Sequence, residues 1–526
     1  MPSLQDVSLE DSIQLGTNFT NWDWLIVAVY LSASVLIGVF ANRYIRNMAD
    51  YIVAGRSLRS FISIATMLGS EVGLVTVMYT SQKGFTGGFS AFHIGLCAGI
   101  VPLIAGLTGF IVVPLREAKV KTIPEFYGHR FGQDVRVLGG LILAVAGILN
   151  MGVFLKAGAI FVTALTGLHD PMVVNIVMTV LIVLVLIYTV LGGMVSVVIT
   201  DYIQFIVLSF GLMLTAVFAA RQLGWSHIVE TVKLVHGEKG FNPFFGGEQS
   251  GWPYVLWSLF TFGLVSSIVW PTAVIRACAA ENVQVVRRMY SFSSIGFMTR
   301  FILPQFLGIC ALVYFWNDEV GRELFFTAEG GVVNDPNITL TAMPSFLAQI
   351  LPAGAIGIVC AGMLAAFMST HDSYLLCWAS VFVEDVVNPV MGGTLSMKSR
   401  LTLARVFILL IAAFLLIWSL WYPLGQDMLD YLAVTGAIYA SGAFSLLLFG
   451  LYWKRASRVG AYLGLISGLI AVVGLKPVQG LVRLEDLLKF QPSEAQIGLF
   501  SVGLSLVLTV VGSLLFPDSS AIRKKL

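Results

Sequence analysis

The sequence predicts an all-α membrane protein with about thirteen transmembrane helices. Three observations carry that reading. The chain of 526 residues is 57% hydrophobic and only 11% charged. Its apolar residues gather in blocks near twenty long, and its basic residues fall between those blocks. Soluble domains carry roughly 25% charged residues, and about 20 apolar residues cover the roughly 30 Å of a bilayer core. No polar stretch is long enough to build a separate soluble domain. A net charge of +2 does not mark a nucleic-acid-binding surface, so none is expected as a partner.

In chain order the predicted spans are 22–42, 60–80, 88–114, 135–166, 172–192, 196–219, 252–275, 290–316, 352–383, 401–421, 428–452, 457–475 and 495–516. The tail 1–21 before span 1 is polar and acidic and lacks the basic start of a cleaved signal peptide, so span 1 is expected to remain as an extra N-terminal helix. Several spans exceed 25 residues, which predicts tilt or extension beyond the bilayer. Orientation follows from positive charge. With the N-terminus outside, 21 of the 31 basic residues lie on the inner side and eight on the outer side, Lys83 among the outer ones and Arg276 among the inner. Lys156 and Arg300 fall within spans. An odd number of spans then leaves the C-terminal tail 517–526 cytoplasmic, in a multi-pass protein of the plasma or inner membrane. The sequons at Asn18 and Asn337 lie outside in this topology. Cys97, Cys278, Cys310, Cys360 and Cys377 have no metal-ligand spacing and read as small core residues.

Two spans are interrupted by small residues. Span 2 contains Leu68-Gly69-Ser70-Glu71-Val72-Gly73, and span 7 contains Gly263-Leu264-Val265-Ser266-Ser267 with Pro271 beyond. Transporters bind solute near the bilayer midplane at such breaks. Their separation by five spans predicts two inverted five-helix repeats, 60–219 and 252–452, followed by two extra C-terminal helices in 457–516. Small residues packing between helices is the plainer alternative for either break taken alone.

Charged groups at membrane depth cost about 2.5–3.5 kcal/mol or more each, so each needs a partner or a wet cavity. Glu71, Lys156, Asp201, Arg300 and Asp372 qualify. Arg300 and Asp201 could instead snorkel to the inner surface. Glu71 and Lys156 are far from span ends; they either form a buried ion pair or face a cation and an anionic solute group. Span 9 carries Ser369-Thr370-His371-Asp372-Ser373. Sodium takes several oxygen ligands. Carbonyls freed at the span 2 break, the hydroxyls of Ser369 and Thr370, and the Ala366 carbonyl could supply them. Hydroxyls in membrane helices also commonly bond back to their own helix.

At these residues the chain resembles the sodium/solute symporter family, which includes sodium-coupled proline, sugar, sialic acid and pantothenate importers. The motifs are Gly55-Arg56-Ser57-Leu58, the run from Tyr188 through Gly192-Gly193 to Thr200-Asp201 and Gln204, and the run from Ala361-Gly362 through Met368-Ser369-Thr370 and Asp372-Ser373 to Glu384-Asp385. The resemblance implies a LeuT-like inverted-repeat bundle, first seen in an amino-acid transporter, with helices added at both ends. It implies one sodium between the carbonyls of Gly69 and Val72 and the groups of Ala366, Ser369 and Thr370. Some members carry a second sodium at positions matching Asp201, Asp372 and Ser373, although Asp372 stands where those members have a hydroxyl. Candidate solute contacts are Ser70, Glu71, Thr76, Lys156, Ser266 and Arg300. Ser266 replaces the gating Tyr of sugar-type members, which disfavours a sugar, and a base at Lys156 favours a carboxylated solute.

The function expected is sodium-coupled import of a small polar solute by alternating access, with sodium as the coupling ion and no organic cofactor. A proton-driven importer of the same fold would use Glu71, Asp201 or Lys156 as carrier. A sensor is disfavoured because only about ten residues follow span 13. An enzyme is disfavoured because the six histidines are scattered without zinc-type spacing.

Overall fold

The computed structural model describes residues 15–41, 59–168, 170–245, 250–422 and 426–518. The motif at 55–58 lies outside them, as do the side chains of Ser70 and Asp201. Among the described residues the regular structure is helical and no strand is formed, with an isolated bridge between Phe326 and Val332. The helices are α1 (Asn21–Ala41), α2 (Ser60–Glu71), α3 (Leu74–Gly87), α4 (Phe92–Thr108), α5 (Val112–Glu117), α6 (Ile123–Arg130), α7 (Gln133–Met151), α8 (Phe154–Thr166), α9 (Pro171–Leu223), α10 (Trp225–His236), α11 (Trp252–Ser258), α12 (Pro271–Ala279) and α13 (Val283–Trp316). They continue with α14 (Glu319–Phe325), α15 (Pro336–Ile350), α16 (Ala355–Val381), α17 (Met397–Trp421), α18 (Met428–Tyr452), α19 (Arg458–Gly468), α20 (Lys476–Val482), α21 (Leu484–Leu488) and α22 (Glu494–Leu515). Among the described residues, eight helical stretches are long and apolar enough to cross a membrane, and a ninth is bent by 95° between α19 and α20. Such a chain keeps its backbone donors and acceptors inside helices because hydrocarbon offers them no partner.

The predicted span 135–166 is interrupted at Gly152–Val153, and two larger features also differ from the predicted spans. Helical structure runs unbroken over Pro171–Leu223, where two spans, 172–192 and 196–219, were expected. Gly192 and Gly193 lie within that helix. The second difference is at span 7. The turns from Leu259 to Val269 are π-helical, and the chain becomes extended only at Trp270 (φ −69°, ψ 127°) before α12 begins at Pro271. The break therefore follows the Gly263–Ser267 segment. Ser266 and Ser267 donate back to the carbonyls of Phe262 and Gly263, at 2.5 and 2.6 Å, so their hydroxyls stay within the helix.

Close helix packing rests on small residues, since apolar surface gains little by leaving lipid for protein. On α4, a methyl added at Gly99 would sit 2.8 Å from Met298 Cβ and 3.1 Å from the Ser294 carbonyl of α13. Gly84 of α3 and Gly308 of α13 oppose each other's helix so closely that a methyl on either would strike backbone, at Gln305 and Ser81 respectively. These contacts seat α3 and α4 against α13.

The first helix is tied down by polar bonds. Asp23 Oδ1 accepts from the N–H groups of Gly354 and Gly357, at 2.7 and 2.9 Å, which caps α16. Asn18 Nδ2 donates to the carbonyls of Gln349 and Leu351, at 2.7 and 3.2 Å. That amide is engaged in the fold, unlike a free surface sequon.

Candidate functional site

The interruption in span 2 has a defined geometry. α2 ends at Glu71, where Val72 (φ −94°, ψ 76°) closes the last turn with its N–H on the Leu68 carbonyl at 2.8 Å. Gly73 is extended (φ −102°, ψ 166°) and α3 restarts at Leu74. The break thus occupies Val72 and Gly73, and is narrower than the 69–73 segment expected; Gly69, Ser70 and Glu71 are helical. The carbonyls of a helix's last turn have no partners within the helix. One of them, that of Glu71, accepts from Thr76 Oγ1 at 3.1 Å and from Arg300 Nη1 at 3.2 Å.

Gly73 meets α16 directly. A methyl there would strike Thr370 Oγ1 and lie 3.1 Å from Thr370 Cβ and 3.4 Å from the Ala366 carbonyl. Its φ is one any residue adopts, so glycine is required here by space. On α16, Ser369 Oγ and Thr370 Oγ1 both donate to the Ala366 carbonyl, at 3.1 and 2.9 Å. Three oxygens converge beside the break, and all are buried. Each hydroxyl keeps lone pairs after donating its proton. Such an all-oxygen set suits a hard cation.

Glu71 and Arg300 are brought together rather than Glu71 and Lys156. Arg300 Nη1 lies 2.8 Å from Glu71 Oε2, and Thr272 Oγ1 donates to Glu71 Oε1 at 2.7 Å. Arg300 also packs over the rings of Phe297 and Phe301, 4.3 and 4.9 Å from their centroids. Its depth excludes snorkelling, since the residue is only 5% exposed. Lys156 instead points to the Tyr422 carbonyl at 3.4 Å and does not line the cavity described below. Lys156 lies two residues past the cavity-lining Phe154 on α8, about 200° around the helix, so its side chain leaves on another face.

Arg276 is a second departure. The sequence assigns it to an inner loop, but it is 1% exposed on α12. Its guanidinium donates to the carbonyls of Thr66 and Thr272, at 3.1 and 2.9 Å, and to Ser373 Oγ at 3.2 Å. A fixed cation therefore stands at the Ser373 end of the expected second ion site, next to the fully buried Asp372. The apolar run ends near Ile275, yet the break at Trp270 turns α12 inward instead of out to solvent.

A cavity of about 90 Å³ opens at the break. Its walls carry Glu71, Thr76 and Tyr79 from the interrupted helix and Asn150 and Phe154 from either side of the α7–α8 turn. The π-helical segment with Trp270 adds Ser266 and Trp270, α13 adds Arg300 and Phe301, α16 adds Thr370 and Tyr374, and α18 adds Leu432, Ala433, Gly436 and Ala437. Trp270 Nε1 donates to Tyr374 Oη at 2.9 Å, and Asn150 Nδ2 donates to the Leu432 carbonyl at 2.8 Å. Sequence reasoning missed the aromatic walls, because aromatic residues in apolar spans look like lipid-facing or core residues. Asn150, a lone amide in mid-span, was the one legible signal.

A family model for the sodium:solute symporter family matches residues 51–468. A sodium/proline symporter of Haemophilus influenzae is 28% identical over 469 residues, covering 86% of this chain and 87% of the relative. A bovine sodium/myo-inositol cotransporter is 26% identical over 504 residues, covering 86% of this chain and 66% of the relative. Among solved structures, a substrate-bound outward-open state of a sodium-coupled sialic acid symporter superposes with a TM-score of 0.76 at 19% identity, over 94% of this chain and 98% of the other. MhsT in complex with L-phenylalanine superposes with a TM-score of 0.55 at 12% identity, over 87% and 98%. The fold is thus that of helical transporters, and with a family match over most of its length the chain belongs to the sodium:solute symporter family.

Proposed function

We propose that this protein imports a small neutral or zwitterionic solute against its gradient by alternating access, driven by sodium bound between the Val72–Gly73 break and Ala366, Ser369 and Thr370. One observation carries the reading: Gly73 presses on Thr370 at the edge of the cavity, so an ion held there and a solute in the cavity share the same wall. Each would favour the closed arrangement of the interrupted helix, and that shared preference is the coupling. One sodium moved across 100 mV releases about 2.3 kcal/mol. A tenfold gradient adds roughly 1.4 kcal/mol. Together they sustain accumulation of a few hundred-fold per sodium.

The solute class follows from charge. Arg300 is neutralised by Glu71, and Lys156 is outside the cavity. A free anion therefore has no uncompensated base to meet, whereas a carboxylate carrying its own ammonium, or a neutral molecule, suits the walls. Proline, named in several relatives, is a zwitterion of this kind. The expected topology, N-terminus outside and C-terminus inside, and the pairing of 60–219 with 252–452 as inverted repeats belong to the same proposal.

The test is uptake of labelled L-proline and myo-inositol by proteoliposomes at fixed pH, with sodium or choline outside. Uptake should require sodium and should raise internal solute above external. Uptake that persists in choline would support a proton-driven cycle in its place.

A further inference from the structure

Lys83 belongs to α3, one turn beyond the cavity-lining Tyr79. Its ammonium donates to Asp427 Oδ2 at 2.6 Å and Asp430 Oδ2 at 2.9 Å. Asp430 opens α18, which lines the cavity two residues later at Leu432, and it also accepts from Tyr254 Oη at 3.2 Å. Lys83, Asp427 and Asp430 are 4%, 9% and 3% exposed. The sequence assigns Lys83 to an outer loop, yet it is sealed inside the protein.

A matching cluster lies at the far end of α16. Asp385 is fifteen residues past Thr370, about 22 Å along the helix. Arg136 Nε meets it at 2.9 Å and Thr122 Oγ1 donates to it at 3.0 Å. The Lys83 cluster is on the opposite side: Asp430 stands at the start of α18, whose far end at Gly450 accepts from Arg130 of α6, the helix capped by the same Thr122 that meets Asp385. Two buried ion clusters bracket the cavity.

We propose that the Lys83–Asp427–Asp430 triad is the outer latch of the transport cycle, closed in this structure and parted whenever the cavity opens to the outside. This rests on the symport reading above. α3 is the half of the interrupted helix that can tilt about Val72–Gly73, and α18 is the wall it closes on. Charges suit such a joint. Apart, in a wet vestibule, all three are hydrated; together in a dry one, each must find the others because an unpartnered buried charge is costly. Water in the vestibule thus favours the open state, and its exclusion favours the triad.

The test uses Ser266→Cys as a cavity reporter with Cys97→Ser, since the other four cysteines are buried. A membrane-impermeant methanethiosulfonate is applied to right-side-out and inside-out vesicles. Lys83→Met should raise the outside labelling rate about tenfold and lower the inside rate, while Lys83→Arg should leave both near the parent values. If Lys83→Met does not fold, Asp427→Asn, which takes one of the two carboxylates from Lys83, should shift both labelling rates in the same directions by a smaller factor. Outside labelling of folded Lys83→Met, or of Asp427→Asn where Lys83→Met does not fold, at the parent rate would overturn the latch. The reporter needs no solute, so this outcome is distinct from failure of the symport reading, which would show as sodium-independent uptake by the unmodified protein.

Discussion

Replacing Gly73 with alanine tests the contact on which the ion site depends. The added methyl would occupy the position of Thr370 Oγ1 and press on Thr370 Cβ and the Ala366 carbonyl. Both groups belong to α16, a helix buried along nearly its whole length, so it has little room to yield. Overpacking of this kind costs roughly 1–3 kcal/mol. If the break must draw away from α16 by a few tenths of an ångström, that cost appears in sodium binding. At 1.4 kcal/mol per decade, half-saturating sodium should rise roughly 5- to 150-fold. The assay is sodium-dependent uptake in proteoliposomes, with thermal unfolding in detergent measured alongside. Thr370→Ala removes the atom the methyl strikes, so the double variant should unfold at a higher temperature than Gly73→Ala alone, a non-additive cycle. It should still need high sodium, because a proposed ligand is gone. Unchanged half-saturating sodium in a folded Gly73→Ala protein would refute the reasoning.

Three further outcomes are expected. Arg300→Gln should destabilise the protein by about 3–5 kcal/mol, because it strands the buried Glu71 carboxylate, and adding Glu71→Gln should recover much of the unfolding temperature; no recovery would mean the pair at 2.8 Å is not the source of the loss. Lys156→Met should leave the solute concentration for half-maximal uptake within about twofold, since its ammonium reaches only the Tyr422 carbonyl among the bonds described, and a tenfold change would return it to the solute site. Asp23→Ala removes the acceptor that caps the Gly354 and Gly357 amides and should lower stability by about 0.5–2 kcal/mol without changing half-saturating sodium, measured by unfolding and by uptake.

Much of this molecule is legible in one dimension because a bilayer imposes a one-dimensional rule. Hydrocarbon length, satisfied backbone groups and the cost of charge write themselves into runs of apolar residues, so helices, approximate spans and the odd charged residues at depth could be read directly. The motifs around Asp201 and Ser369–Asp372 carried the family, and the small residues before Gly73 announced an interruption. Pairing was not legible, because it depends on which faces of tilted helices meet. Glu71 had two bases within plausible reach; α13 brings it Arg300, while Lys156 leaves α8 toward the Tyr422 carbonyl. Arg276 and Lys83 looked like loop charges by position along the chain, yet breaks at Trp270 and Val72–Gly73 carry them inward. A charge near the end of an apolar run can end in water or in the protein core, and only the packing of distant helices around it decides between the two.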